Sequence, residues 1–439
     1  MDASISDLEV CIVHALPTSK IAVRPAYITY NLPDKSALSA AKSWVDQLMD
    51  RAYGTAQKRK RIKVIINPFG GQGNAAKIFA RDVEPILRAA KCELDTEATT
   101  HQGHAVEIAQ NLDVDKFDVV ACCSGDGVPH EVFNGLAKQD KARRALRKIA
   151  VTQLPGGSGN AMSLNLNGTN SPSLAALAVV KGIRAPLDLI AITQGQNRLL
   201  SFLSQAVGIV AESDLGTENI RWMGGARFTY GFLVRLLGKT VYPAEVAVKV
   251  EAADKPAVRE AYRRTRAQQD AIPATRSDER EQEGQMGEQD EGLPDLRYGT
   301  VNDEIPSDWE CSDMPTLGNF YAGNMTWMSA DAPFFPAALP NDNKMELVTI
   351  DGNLPRMTSV NLLLSIEDNK FMDQPTVNYR KISAFRISPR LRQGQREGFI
   401  SIDGEKMPFE PFQAEVVGGL GTVLSKRGAV YEFEGPKEV

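Results

Sequence analysis

The chain opens on alternating apolar and polar runs, LEVCIVHA and IAVRPAYITYNL, which predict short strands. SALSAAKSWVDQLMDRAYG follows, with the three-to-four-residue apolar spacing of an amphipathic helix, and residues 1–60 together read as an N-terminal extension. From Arg61 to about residue 195, apolar β-rich runs (KVIINP, CELDTEA, DVVACC, IAVTQLP, PLDLIAI) alternate with helical ones such as AAKIFARDVEPILRAA and SPSLAALAVVKGI. Strands separated by helices in this way predict an α/β domain, a parallel sheet covered on both faces. Beyond Leu199 the pattern becomes short alternating strands, VAVKVEA, KMELVTIDG, KISAFRIS, GFISIDG and TVLSK, which predict an antiparallel second domain over 196–439. Within it, about 255–313 is expected to be a largely disordered insertion, because Arg266 to Pro294 is crowded with Glu, Gln, Asp, Arg and Gly and nearly empty of large apolar residues.

Composition narrows the class. A 439-residue chain that is 43% hydrophobic and 24% charged can bury more than one core, and a net charge of −5 gives no global attraction to nucleic acid. Of five cysteines none has CxxC spacing, and Cys122 and Cys123 are adjacent, which speaks against a disulfide framework or a zinc cage. MDASISDLEV has no basic region followed by an apolar one, and the most apolar stretch, Leu199 to Ala211, is interrupted by Ser201, Ser204, Gln205 and Gly208. That stretch is shorter than the roughly 20 residues of a spanning helix, so the expectation is a cytoplasmic protein that meets membrane only peripherally. The basic run from Lys58 to Lys63 reads as a solvated helix end rather than a lipid-phosphate contact or a localisation signal. No obligate protein partner is evident.

The chemistry gathers where strands of the first domain end. RIKVIINP runs into Phe69, Gly70, Gly71, Gln72, Gly73 and Asn74 ahead of a helix; DVVACC runs into Ser124, Gly125, Asp126 and Gly127; IAVTQLP runs into Gly156, Gly157, Ser158, Gly159 and Asn160. Glycines at one such turn meet a need for positive φ and nothing more. Three of them at the carboxyl ends of parallel strands converge on one crevice, where open α/β sheets bind ligands. Backbone N–H groups and helix N-termini there suit an anion. No GxGxxG or GxxxxGK[ST] element stands in the right context, since Gly238, Lys239 and Thr240 follow an amphipathic run, and the HRD and DFG elements of protein kinases are missing. His14, His101, His104 and His130 are too scattered for a metal site, and the last reads as a helix-start residue.

SGDGVPHEVFNGL (Ser124 to Leu136), LPGGSGNAMS (Leu154 to Ser163) and NPFGGQGNA (Asn67 to Ala75) resemble the signature loops of the diacylglycerol kinase catalytic superfamily. Within it, GSGNAMS and the segment from Leu199 to Gly231 resemble the sphingoid long-chain base kinases. The resemblance implies a two-domain lipid kinase, a Rossmann-like parallel α/β domain followed by an antiparallel β-sandwich domain, using ATP and Mg2+ on a sphingoid-base lipid at a membrane surface. Asp126 matches the family's catalytic aspartate, which accepts the proton of the substrate hydroxyl. Asn67, Pro68, Phe69, Gly70, Gly71 and Gly73, then Thr99, Thr100, His101, Gln102 and Gly103, then Glu131, Gly157, Ser158 and Gly159 match nucleotide-contacting positions. Arg221 and Arg227 match arginines on the phosphates, where a planar fork suits bidentate bonding. Asp403, Gly404 and Glu405 match a late acidic turn on the nucleotide, with Asp403 and Glu405 as magnesium ligands. Ser124, Gly125, Asp126 and Gly127 border the substrate, and Asp214 matches the carboxylate that meets the head-group ammonium.

That ammonium needs a carboxylate beside apolar walls, whereas diacylglycerol and ceramide carry no such charge. A buried alkyl tail offers on the order of 0.8 kcal/mol per methylene, little of it regained on extraction from a bilayer, so the enzyme is expected to dock on membrane. LVRLLGKT and the stretch from Ala332 to Pro336 could serve that docking or core packing. The sequence departs from the family at Gln72, where lysine is common, and around Phe371, where some relatives have histidine. Two alternatives stay open, a kinase for a neutral lipid such as diacylglycerol or ceramide and a non-catalytic nucleotide-binding membrane module.

Overall fold

The computed structural model describes residues 1–216, 226–271, 291–392 and 394–437. Three antiparallel strands, β1 (Asp2–Ser6), β2 (Glu9–Ser19) and β3 (Ala22–Asn31), precede helix α1 (Leu38–Tyr53). They are not a detached appendage: Ala3, Val10, Val45, Met49 and Tyr53 share one apolar cluster with strands and helices of the domain that follows.

That domain runs β4 (Arg61–Ile66), α2 (Ala75–Ile78), a π-helical turn (Phe79–Val83), α3 (Glu84–Ala89), β5 (Glu93–Ala98), α4 (His104–Gln110), β6 (Val119–Ser124), α5 (Gly127–Leu136), α6 (Ala142–Lys148), β7 (Ala150–Pro155), α7 (Ala161–Asn167) and α8 (Pro172–Lys181). Strands β5, β4, β6 and β7 lie parallel in that order. Val64, Ile65, Val120, Ala121, Cys122, Val151 and Leu154 are buried, as expected of strands covered on both faces.

The second domain contains β8 (Ile183–Gln194), β9 (Asn197–Ser201), β10 (Ser204–Gly208), α9 (Ile209–Leu215), α10 (Ala226–Leu237), β11 (Ala244–Ala252), α11 (Lys255–Ala271), β12 (Glu310–Met314), β13 (Leu317–Gly323), β14 (Trp327–Ser329), β15 (Ala332–Pro333), β16 (Met345–Asp351), α12 (Arg356–Glu367), β17 (Val377–Pro389), β18 (Ile400–Ile402), β19 (Glu405–Met407) and β20 (Phe412–Ser425). It is antiparallel, as expected, and the inward residues of β8, β10, β11, β13, β16, β17, β18 and β20 share one apolar core.

Three expectations are corrected. PLDLIAI belongs to β8, which pairs antiparallel with β9 and β20 and not with the parallel strands, so the parallel sheet ends one strand earlier. TVLSK, expected in the antiparallel sheet alone, also pairs parallel with β7 through Thr422 and Val423. Residues 255–313 are not uniformly without structure, because Lys255–Ala271 is helix and Glu310–Met314 is strand; 272–290 lie outside the described residues. Strong apolar runs carry no signal of strand direction, and a polar surface helix has the composition of a disordered segment.

Candidate functional site

The three glycine loops meet. A Cβ on Gly71 would lie 3.1 Å from the Gly157 backbone, one on Gly125 would lie 3.1 Å from Gly159 O, and one on Gly157 would fall 2.3 Å from Gly125 Cα. The loops after β4, β6 and β7 therefore touch backbone to backbone, and only glycine permits that approach. Asn67 Oδ1 accepts from the N–H groups of Phe69 and Gly70 and holds the first loop, in which Gly71 and Gly73 have φ of 59° and 72°. Asn160 Oδ1 does the same in the third loop with Gly156 and Gly157. Phe69 is 73% exposed beside this crevice.

Asp126 sits in the middle. Its two carboxylate oxygens accept from Ala161 N (2.9 Å) and Met162 N (3.0 Å) at the start of α7, and a Cβ on Gly159 would lie 3.1 Å from Oδ2. Burial raises its pKa above the usual carboxylate value, partly offset by those amides and by Gln153, with the negative charge of Asp403 adding to the rise. A carboxylate keeps a second acceptor site on each oxygen, so this anchoring leaves the group able to take a proton.

Glu131, on α5, accepts from Gly103 N (3.2 Å) and Ala105 N (3.0 Å). It thereby fixes the Thr99 to Gly103 turn against the loop cluster. Thr99 is buried and bonded to Ile66 O, while Thr100 N donates to His104 Nδ1, and the rings of His101 and His104 stack at 4.7 Å. Gln102 is exposed in the same turn.

The acidic turn arrives from the second domain. Glu405 reaches α5, since a Cβ on Gly127 would lie 2.9 Å from its Oε1, and a Cβ on Gly404 would lie 3.8 Å from Asp214 Oδ2. Asp214, half-buried on α9, accepts from Ser401 Oγ at 3.4 Å. The acidic turn thus brings Glu405 to Gly127, next to Asp126 in the chain, and Gly404 towards Asp214.

Asp403 plays another part than the sequence implied. Its carboxylate accepts from Ser201 Oγ, from the backbone N–H groups of Phe202, Leu203 and Ser204, and from His130 Nδ1 at 2.8 Å. Its side chain is fully buried, and these five donors occupy it, so a direct magnesium ligand it is not. Among the described residues no group of three or more His, Cys, Asp or Glu is arranged to hold a metal ion. Glu405 alone of the expected pair remains for that role, which fits magnesium, an ion often held by one or two carboxylates together with substrate phosphates.

His130 was missed as a site residue. Burial, the largest single influence, would lower its pKa, but the Asp403 bond together with the negative charges of Asp403, Glu405 and Glu131 outweighs it and raises the pKa. One turn along α5, Asn134 accepts from Leu200 N and donates to Leu200 O. The two side chains stitch the helix that begins beside Asp126 onto the second domain. The i, i+4 spacing was visible in HEVFN; its partners, 66 and 273 residues away, were not. Arg221 lies outside the described residues, as does the side chain of Arg227.

Other expectations resolve more simply. Gly238, Lys239 and Thr240 close α10 and do not follow a strand. Phe334 and Phe335 pack in the core with Phe371, whose ring meets that of Phe334 at 5.2 Å, which answers the docking question for Ala332 to Pro336 in favour of packing. Among the described residues no helix is long and apolar enough to cross a membrane.

The comparisons agree with this geometry. Residues 61–192 match the diacylglycerol kinase catalytic domain, and residues 1–54 match a domain of unknown function, DUF7493. Sphingoid long chain base kinase 4 of Schizosaccharomyces pombe (strain 972 / ATCC 24843) is 32% identical over 91% of this chain and 85% of its own. Sphingoid long chain base kinase 5 of Saccharomyces cerevisiae (strain ATCC 204508 / S288c) is 36% identical over 92% of this chain, which spans 64% of that relative's length. Sphingosine kinase 1 of Arabidopsis thaliana is 28% identical over 88% and 79%. A solved putative diacylglycerol kinase from Bacillus anthracis str. Sterne shares the fold, with a TM-score of 0.55 and 17% identity over 84% of this chain and 98% of that one. With the family loops matched, the relatives extending over both domains and the loops meeting at one sheet edge, the chain belongs to the sphingoid long-chain base kinases, lipid kinases built on the diacylglycerol kinase catalytic domain.

Proposed function

We propose that this chain transfers the γ-phosphoryl group of ATP to the primary hydroxyl of a sphingoid long-chain base, with Asp126 as general base. The observation that carries the reading is the seat of Asp126 among the glycine loops, with the acidic turn bringing Glu405 to the neighbouring Gly127 and Gly404 towards Asp214. The substrate oxygen attacks the γ-phosphorus as its proton passes to the Asp126 carboxylate, the bond to the β-phosphate oxygen breaks, and ADP leaves. A pKa raised by burial makes Asp126 a better proton acceptor than an ordinary surface aspartate.

Asn67 to Gly73, the Thr99 to Gly103 turn held by Glu131, and Gly157 to Gly159 surround the nucleotide. Arg221 and Arg227 are assigned to its phosphates from the family match alone. Glu405 would help to hold magnesium bound with ATP, which would supply neutralisation of the phosphate charge. Asp214 pairs with the ammonium of the base, beside the apolar cluster containing Phe202, Leu203 and Ala206, which receives the start of the alkyl tail. Tyr230 and Val234, exposed on α10 near α9, suit a helix that meets the bilayer from which the substrate is drawn.

Transfer of radiolabelled phosphate to sphinganine, sphingosine and diacylglycerol tests this, with Asp126→Asn as control. Wild-type transfer to the two bases and its loss in the variant is the expected result; transfer to diacylglycerol alone overturns it.

A further inference from the structure

Tyr321 stands where the polar site gives way to the apolar interior. On β13 it lies opposite Ala206 of β10, and Ala206 in turn lies opposite Ser401 of β18. Residues directly opposite across antiparallel strands share a face. Ser204 is two residues from Ala206 and shares that face too. Tyr321, Ser204 and Ser401 therefore form three hydroxyls around one small side chain, and Ser401 is the residue bonded to Asp214.

The Tyr321 hydroxyl donates to Ser204 Oγ at 3.4 Å, a long bond for two hydroxyls. Ser204 N is tied to Asp403, so the serine is fixed in place. The rest of the ring is in apolar company: Phe335 and Phe334 lie 4.9 and 5.3 Å away between centroids. Gly323, next along the same face, admits Phe335 so closely that a Cβ there would fall 2.1 Å from the ring. Burial raises the phenol's pKa, and the charges of Asp214, Asp403 and Asp126 add to that rise. It therefore stays a neutral donor. A tail-binding wall needs no hydroxyl, and a buried hydroxyl with a stretched bond costs stability.

Resting on the function proposed above, the geometry points to Tyr321 as a specificity-determining residue that hydrogen-bonds, together with Ser204, a secondary hydroxyl on the chain of the base just beyond its ammonium-bearing carbon. With the primary hydroxyl at Asp126 and the ammonium at Asp214, the first two carbons are placed, and the next polar group of such a substrate arrives at Tyr321. The substrate class is a long-chain 2-amino-1-alcohol carrying a hydroxyl at its third or fourth carbon. A site that hydrogen-bonds a substrate hydroxyl rejects the analogue without it far more strongly than an apolar wall does.

The test measures kcat/KM for 3-deoxysphinganine, sphinganine and 4-hydroxysphinganine with the wild type, Tyr321→Phe and Ser204→Ala, and thermal melting of each. The wild type is expected to prefer the hydroxylated bases. Tyr321→Phe, nearly identical in shape, is expected to lower that preference about tenfold or more while activity on 3-deoxysphinganine stays within about twofold. Ser204→Ala is expected to shift the preference in the same direction. An equal fall on all three bases, or an unchanged preference, overturns the role of Tyr321 and leaves the kinase assignment standing. A wild type that phosphorylates none of the three overturns both.

Discussion

At the scale of single residues, the glycines carry the sharpest consequence. A methyl group at Gly157 would drive against Gly125 Cα at 2.3 Å, backbone against backbone, so neither loop has a flexible side chain to move aside. Gly157→Ala is expected to lower kcat/KM for ATP by about a hundredfold or more by separating the two loops, with far-ultraviolet circular dichroism unchanged. Glu131 tests the opposite case, a charged side chain that acts by holding a turn. Its removal in Glu131→Ala frees Gly103 N and Ala105 N, and the expected result in steady-state kinetics is a KM for ATP raised about tenfold with kcat within about threefold. The glycine loops were legible in the sequence because glycines cluster at each strand end, although only Gly71 and Gly73 among them answer a local demand for positive φ, and the approach that Gly125 and Gly157 permit is between loops. The role of Asp403 was not, because its acidic turn looks the same whether it faces a metal or a row of backbone N–H groups brought from 200 residues away.

Among the elements, β8 is the one whose chemistry and placement diverge most from its sequence pattern. PLDLIAI reads as one more buried parallel strand, yet it carries Asp188, which is fully buried. That carboxylate accepts from Asn343 N and Gly419 N and so fastens β8 to the loop before β16 and to the middle of β20. Burial pushes its pKa up to about 7, with the nearby charge of Asp342 adding to the rise and the backbone amides opposing it. Between the ordinary value of 3.8 and about 7 the folded chain therefore holds a proton that the unfolded chain has released. Stability falls as pH rises through that window and levels off above it. Asp188→Asn cannot ionise, so the melting-temperature advantage of the wild type over this variant is expected to shrink from pH 5 to pH 8. A gap that widens over the same range contradicts the assignment. An apolar run around a single acid gave no hint of direction or partner, since both depend on β20, more than two hundred residues later.

Across the whole molecule, the two domains are joined at the place where chemistry happens. Asp403 gathers Ser201, Phe202, Leu203, Ser204 and His130, so its loss leaves buried donors without an acceptor and should cost about 3 kcal/mol or more of stability. In Asp403→Asn the residual activity is expected to need the same magnesium concentration for half-saturation as the wild type, whereas Glu405→Gln is expected to raise it. Magnesium titrations of both variants separate a scaffold from a ligand. The alternation of elements announced a two-layered first half and a β-rich second half, and it concealed how they are sewn together. β20 is that seam, antiparallel to β8 and β17 along most of its length and parallel to β7 at Thr422 and Val423. During translation the nucleotide half emerges early but lacks its bordering strand until residues 412–425 have left the ribosome. A nascent chain released before that point should present an open β7 edge to chaperones.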